Sequence, residues 1–150
     1  MRKQYYFRAS SRGLLAWDVD RLVALTQHFP RVELSLAGIR ELDAPFSSEH
    51  NDTLSWRDVV EHAGLIQAAD LSFPIIPSSG SSVMDGMHRV AKAVLLGRTT
   101  IEAVRFTDDP EPGYVGVQPN DLPYDRTLRD DTMPPNRSPE PTAGRRDAHI

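Results

Sequence analysis

Eight of the chain's twelve prolines lie beyond residue 107, at 110, 112, 119, 123, 134, 135, 139 and 141, with few large apolar residues between them. Proline has no N–H to give to a ladder or a helix interior. A segment so rich in it, and so poor in side chains to bury, does not offset the entropy of being ordered. The core must therefore come from the first 107 residues. The sequence predicts one folded domain over 1–107 followed by a largely extended or disordered tail over 108–150. The apolar alternation of TTIEAVRF, ending at Phe106 and Thr107, marks the break. GYVGV at 113–117 and Tyr124 are the tail's exceptions and are candidates to dock on the body.

Within the body, Asp18 is placed to cap a helix whose face carries Val19, Leu22, Val23, Thr26 and Phe29, and Pro30 stops it. RVELSLAGIREL reads as a short strand with Val32, Leu34 and Leu36 alternating, then a turn or single helical turn. Ser55 and Asp58 have capping-box spacing for a second helix that would bury Trp56, Val59, Val60, Ala63 and Ile66. FPIIP is a short strand, SSGSS a turn, and SVM a second short strand. A third helix follows with an apolar stripe at Met87, Val90, Ala91, Val94 and Leu95, stopping at Gly97, and TIEAVRF closes as a strand. Helices mixed with a few short strands in this order give an α+β fold with a small sheet.

Composition removes several functions. With no cysteine, disulfides, thiolate zinc sites and cysteine nucleophiles are excluded. The five histidines, at 28, 50, 62, 88 and 149, show no metal-ligand spacing, and no metal site is expected. No window is apolar enough for a membrane span, and the N-terminus lacks the apolar run of a secretory signal. A cytoplasmic protein without membrane association is expected. The net charge of −4 resides in residues 108–150, with five arginines against nine carboxylates, while residues 1–107 are balanced. A balanced body has no electrostatic footprint for a polyanion, so DNA binding is not expected.

The informative stretch is VMDGMHRV, residues 83–90. A strand meets a helix there at Met84-Asp85-Gly86. Glycine permits a sharp turn and close approach of a ligand, and the free N–H groups of a first helical turn make an anion site. Arg89 offers a forked pair of donors, His88 a donor tuned near neutral pH, and Lys92 a further charge one turn on, all on the side away from the apolar stripe. The residues so marked are Asp85, Gly86, Met87, His88, Arg89 and Lys92. The plainer alternative is that Asp85 caps the helix and His88, Arg89 and Lys92 form a solvated face.

The stretch PIIPSSGSSVMDGMHRVAKAVLLGRTTIEAVRF, residues 74–106, resembles the ParB and sulfiredoxin superfamily, in which a short strand leads into Gly-x-x-Arg, an alanine-containing helix, a glycine and a final strand. It is most similar to small ParB-like bacterial proteins with a Met-Asp-Gly-Met-His-Arg core, over about Trp17 to Phe106. The resemblance implies a ParB/sulfiredoxin-like small mixed sheet packed with helices, and nucleotide phosphates held at Gly86, Met87, His88 and Arg89. It also implies a nucleoside triphosphate with Mg²⁺ as cofactor, and a nucleotide or other phosphorylated small molecule as partner. The superfamily spans DNA-partition proteins that use CTP, sulfinic-acid reductases that use ATP, and a free-serine kinase, so fold alone does not assign the role. Met87 stands where sulfiredoxin has its cysteine. His88 replaces the first of ParB's two arginines, and the proline-rich tail replaces ParB's helix-turn-helix domain. The resemblance thus implies a nucleotide- or phosphate-binding domain, with a small-molecule phosphotransferase or nucleotide hydrolase of the same fold as one alternative and a DNA-associated ParB-like protein or nuclease as another; a kinase-like member needs an acidic base, for which Glu33, Glu41, Asp43 and Asp85 are the candidates. Residues 134–146, PPNRSPEPTAGRR, resemble the translated end of an integron gene cassette, which implies a bacterial accessory gene.

Overall fold

The computed structural model describes residues 2–46 and 54–125. It is an α+β protein, with three α-helices and seven short strands among the described residues. Its contacts divide the chain into two compact units, one from residues 1–25 with 110–150 and the other from Thr26–Asp109. Of the expected tail, 126–150, with the cassette-like stretch, lies outside the described residues.

The first unit is a three-stranded antiparallel sheet in the order β1-β2-β7. β1 (Tyr5–Arg8) pairs with β2 (Leu15–Asp18) in the register Tyr5↔Asp18 to Arg8↔Leu15. β7 (Tyr114–Val115) takes the other edge of β2. Helix α1 (Val19–Leu25) leaves β2 directly. The Asp18 carboxylate accepts the N–H of Asp20 at 2.9 Å, the capping role expected of it. Its other oxygen takes the Lys3 ammonium at 2.5 Å. Lys3 is buried, a position a lysine tolerates only when its charge is paired. Leu22 is fully buried, but Val23, on the face expected to be covered, is exposed.

Residues 110–125 pack here because their prolines act as acceptors. The carbonyl of Pro110 accepts the Trp17 indole N–H at 2.7 Å, and that of Pro123 accepts the Tyr5 hydroxyl. Pro119 accepts the Tyr124 hydroxyl at 2.7 Å. Backbone bonds from Gly113 to Ala16, Gly116 to Leu14 and Lys3 to Tyr124 complete the join. Proline's fixed φ leaves less chain entropy to lose on ordering, and its carbonyl accepts as well as any. A count of apolar side chains sees neither effect. GYVGV and Tyr124, the tail's two exceptions, are both in the joined stretch.

The second unit holds the principal core. β3 (Val32–Ser35) pairs antiparallel with β6 (Thr100–Ala103), and β4 (Ile76–Pro77) with β5 (Val83–Asp85). Parallel-sense bonds join the two pairs: Ile75 N–H to Glu102, Val104 N–H to Ile75 and Phe106 N–H to Pro77. Two 3₁₀ turns, Leu36–Gly38 and Arg40–Asp43, follow β3 as expected. The core gathers Leu36, Ile39, Ile75, Val83, Val90, Ala93, Ile101 and Ala103.

Two helices depart from the expected burial. Helix α2 (Trp56–Ala68) starts at the expected capping box, with the Ser55 hydroxyl accepting from Asp58 N–H and the Asp58 carboxylate from Ser55 N–H. It nevertheless buries none of its residues fully. Asp58, His62 and Ile66, at i, i+4 spacing, are its half-buried face, while Trp56, Val59, Val60 and Ala63 are exposed. Helix α3 (Met87–Leu95) buries Val90 and Ala93, with Met87 packed on the core. Val94 and Leu95, expected inside, are exposed. Both helices are rolled because polar contacts between them set their orientation.

Candidate functional site

β5 runs into α3 through Gly86, which takes the N-cap position at φ +113°. Only glycine adopts that conformation without strain. A Cβ there would stand 2.7 Å from Ile75 Cγ2 and 3.0 Å from Arg89 Nη2, so the site also lacks room for one. Because Gly86 has no side chain, α3 is uncapped. The first N–H to find an acceptor is that of Val90, on the Gly86 carbonyl at 3.0 Å. Those of Met87, His88 and Arg89 have none among the described residues.

Asp85 does not cap the helix. One oxygen, Oδ2, accepts from Arg89 Nη2 at 2.8 Å, one turn along, and both side chains are largely buried, 18% and 17% exposed. The other oxygen accepts no hydrogen bond among the described residues. A carboxylate beside a helix N-terminus is favoured by the dipole. Here it also holds the guanidinium inside the unit, which does not fit the solvated face of the plainer alternative. Arg89 Nε is buried and has no hydrogen-bond partner.

Lys92 is engaged elsewhere. Its ammonium donates to the carbonyls of Gln67 at 2.8 Å and Ala69 at 2.7 Å. These belong to the C-terminal end of α2, where orphan carbonyls and the negative end of the helix dipole meet. Lys92 therefore fixes α2 on α3, and is neither solvated nor directed only at the turn.

His88 is half-buried and stacks on His62 of α2, with ring centroids 5.8 Å apart and planes at 26°. Phe46 packs edge-on against His62 at 4.7 Å. Burial pushes the His88 pKa below its ordinary 6.5, and the neighbouring His62 and Arg89 push it the same way against the pull of Asp85. His88 is therefore harder to protonate than an ordinary histidine. His62 Nδ1 is buried without a hydrogen-bond partner.

Glu41 is the participant that sequence spacing could not single out from Glu33 and Asp43. Its Oε2 accepts the N–H of Val83 at 2.7 Å, on the strand that leads to Asp85. Its Oε1 is buried and accepts no hydrogen bond among the described residues. Glu33 and Asp43 are exposed, and Glu33 lies cross-strand from Glu102. The other addition is His62, whose only sequence signal is its i, i+4 spacing with Asp58 and Ile66. SSGSS is a turn held by Ser78, with Ser81 N–H on the Ser78 carbonyl at 3.0 Å and Ser82 N–H on its hydroxyl at 3.0 Å.

An open groove of about 530 Å³ lies near the far end of α3, lined by Glu33, Ala93, Gly97, Arg98 and Glu102 among others, and it includes none of the marked residues. No group of three or more metal-ligating side chains occurs among the described residues, and none of their helices is long and apolar enough to cross a membrane. Comparison with protein-family models, curated proteins and solved structures returned no match.

Proposed function

We propose that the turn from Asp85 to Arg89 binds the phosphate of a nucleotide or another phosphorylated small molecule. The observation that carries this reading is the uncapped N-terminus of α3, where three successive N–H groups have no acceptor among the described residues and lie beside a positioned arginine. Such a terminus favours an anion through both its donors and its dipole. The ParB/sulfiredoxin resemblance of residues 74–106 supports the same assignment to Gly86, Met87, His88 and Arg89, and the fold that it implies is part of the proposal.

Asp85 decides what form the ligand takes. Its negative charge at the turn repels a bare phosphate, whereas a Mg²⁺ ion brought with a nucleotide is commonly held by one or two carboxylates plus the phosphates themselves, with no all-protein cage. The unbonded oxygen of Asp85 fits that role, and the ion would neutralise charge between carboxylate and phosphate. The test is a thermal-shift titration with nucleotides, with and without Mg²⁺. Ligand at ~100 times its Kd stabilises the wild type by about 2.7 kcal/mol. Arg89→Ala should lower affinity by about tenfold or more. No shift with any nucleotide or phosphate, or equal shifts in wild type and Arg89→Ala, would sink the reading.

Glu41 favours a second, catalytic reading, a small-molecule phosphotransferase of the same fold. A carboxylate anchored through one oxygen, with the other buried and unbonded, is a positioned acceptor for a hydroxyl proton. Turnover of a bound nucleoside triphosphate that Glu41→Gln abolishes while binding persists would establish it.

A further inference from the structure

Helix α2 carries its apolar residues outward. Trp56 is 85% exposed and Val60 66%. With Ala63 and Gly64 they occupy positions i, i+4, i+7 and i+8, which share one face of a helix. Ordinary surface helices turn such a stripe to the core, and α2 cannot, because its inward roll is fixed by His62 on His88 and by Lys92 on its last carbonyls. A Trp side chain alone carries about 150–250 Å² of surface.

We infer that this face pairs with the same face of a second copy, the two α2 helices lying antiparallel about a two-fold axis between Val59 and Val60. The charges select this occupant. Arg57 and Glu61 lie together along one edge of the stripe, and neither is paired among the described residues. In an antiparallel isologous pair, each edge runs beside its own copy in reverse order. Arg57 of one helix then meets Glu61 of the other, twice. A parallel pair would not bring that edge against itself. About one turn from the axis, Trp56 faces Gly64 of the second copy, where nothing beyond the neighbouring backbone of α2 itself lies within 4 Å of a Cβ position. The chain's own remaining segments are poor occupants. Residues 47–53 contain no large apolar side chain, and 126–150 only Leu128, Met133 and Ile150.

The contact is small. A 13-residue helix is about 20 Å long, and one face of it falls short of the ~800 Å² per partner of a standard stable interface. Self-association is therefore weak, with Kd on the order of 100 µM. Sedimentation equilibrium of the full chain over ~5 to ~500 µM should show reversible growth from 16.8 kDa toward twice that mass. Trp56→Ala and Arg57→Glu should each weaken association at least about tenfold, and the double swap Arg57→Glu/Glu61→Arg should restore it. Because α2 buries no residue fully, these variants should keep the wild-type far-UV circular dichroism. A chain monomeric throughout the range overturns the inference. So does a dimer indifferent to both single changes, a double swap no better than the single, or association that appears only once residues 126–150 are removed.

Discussion

Gly86→Ala isolates the step on which the candidate site is built. At φ +113° any Cβ is strained, at a cost of about 1–2 kcal/mol. The added methyl would also stand 2.7 Å from Cγ2 of Ile75. Ile75 is fully buried in the core and bonded through its N–H and carbonyl to Glu102 and Val104, so it cannot retreat without moving strand backbone. Overpacking of this kind costs roughly 1–3 kcal/mol. Together these give about 2–5 kcal/mol, and for a unit of this size a loss of 3 kcal/mol lowers Tm by roughly 12–24 °C. Gly64→Ala is the matched control. It lies inside α2 with nothing within 4 Å of the new Cβ, so it should stabilise by about 0.4–1 kcal/mol. Scanning calorimetry of both variants at a few micromolar, below the range of self-association, checks the pair. If Gly86→Ala melts within about 2 °C of the wild type, the geometry assigned to the β5–α3 turn is wrong.

Lys92→Met should destabilise by about 1–3 kcal/mol, through the two carbonyls of α2 left without a charged donor, and should leave affinity for phosphate nearly unchanged; chemical denaturation and ligand titration separate the two effects. Asp85→Asn should tighten binding of metal-free inorganic phosphate while weakening the Mg²⁺ dependence of nucleotide binding, both measurable by calorimetry. For pH, the folded state holds the pKa of His88 below 6.5, so the unfolded chain takes up the proton first. The stabilisation is complete above 6.5 and declines as pH falls through that value toward the lower folded pKa. His88→Asn should flatten that part of the melting-temperature profile, whereas the decline attached to Asp58 and Asp70, whose pKa values lie below 3.8, should persist at lower pH. Ending the chain at residue 110 should remove β7 and the acceptors for Tyr5 and Lys3, and so unfold the first unit, read as loss of the buried Trp17 signal with Trp56→Phe as background.

Features set by local chemistry were legible in the sequence. The Ser55–Asp58 capping box, the Asp18 cap and the strand-glycine-helix step at Asp85 to Met87 each depend on residues within four positions of one another. What the sequence hid depends on partners far along the chain. The stripe of α2 reads as a core face, yet the roll of α2 is set by Lys92, 25 residues beyond Gln67, and by the stack of His62 on His88. Arg89 and Lys92 read as phosphate ligands, with a solvated face as the plainer alternative, because helical periodicity reports where apolar side chains fall and not which carboxylate or carbonyl waits opposite. In the segment 110–125, proline carbonyls serve as acceptors for Trp17, Tyr5 and Tyr124, contacts that a count of apolar side chains does not register. Glu41 became distinguishable from Glu33 and Asp43 only through its bond to Val83.

The most direct test of phosphate binding at the turn follows backbone amide resonances while a Mg²⁺-nucleotide is titrated into the ¹⁵N-labelled chain. The amides of Met87, His88 and Arg89 should move together and saturate with one Kd, and Arg89→Ala should raise that Kd at least about tenfold. Saturable shifts located elsewhere, for instance at the groove of Glu33 and Arg98, with those three amides unmoved, would contradict the account.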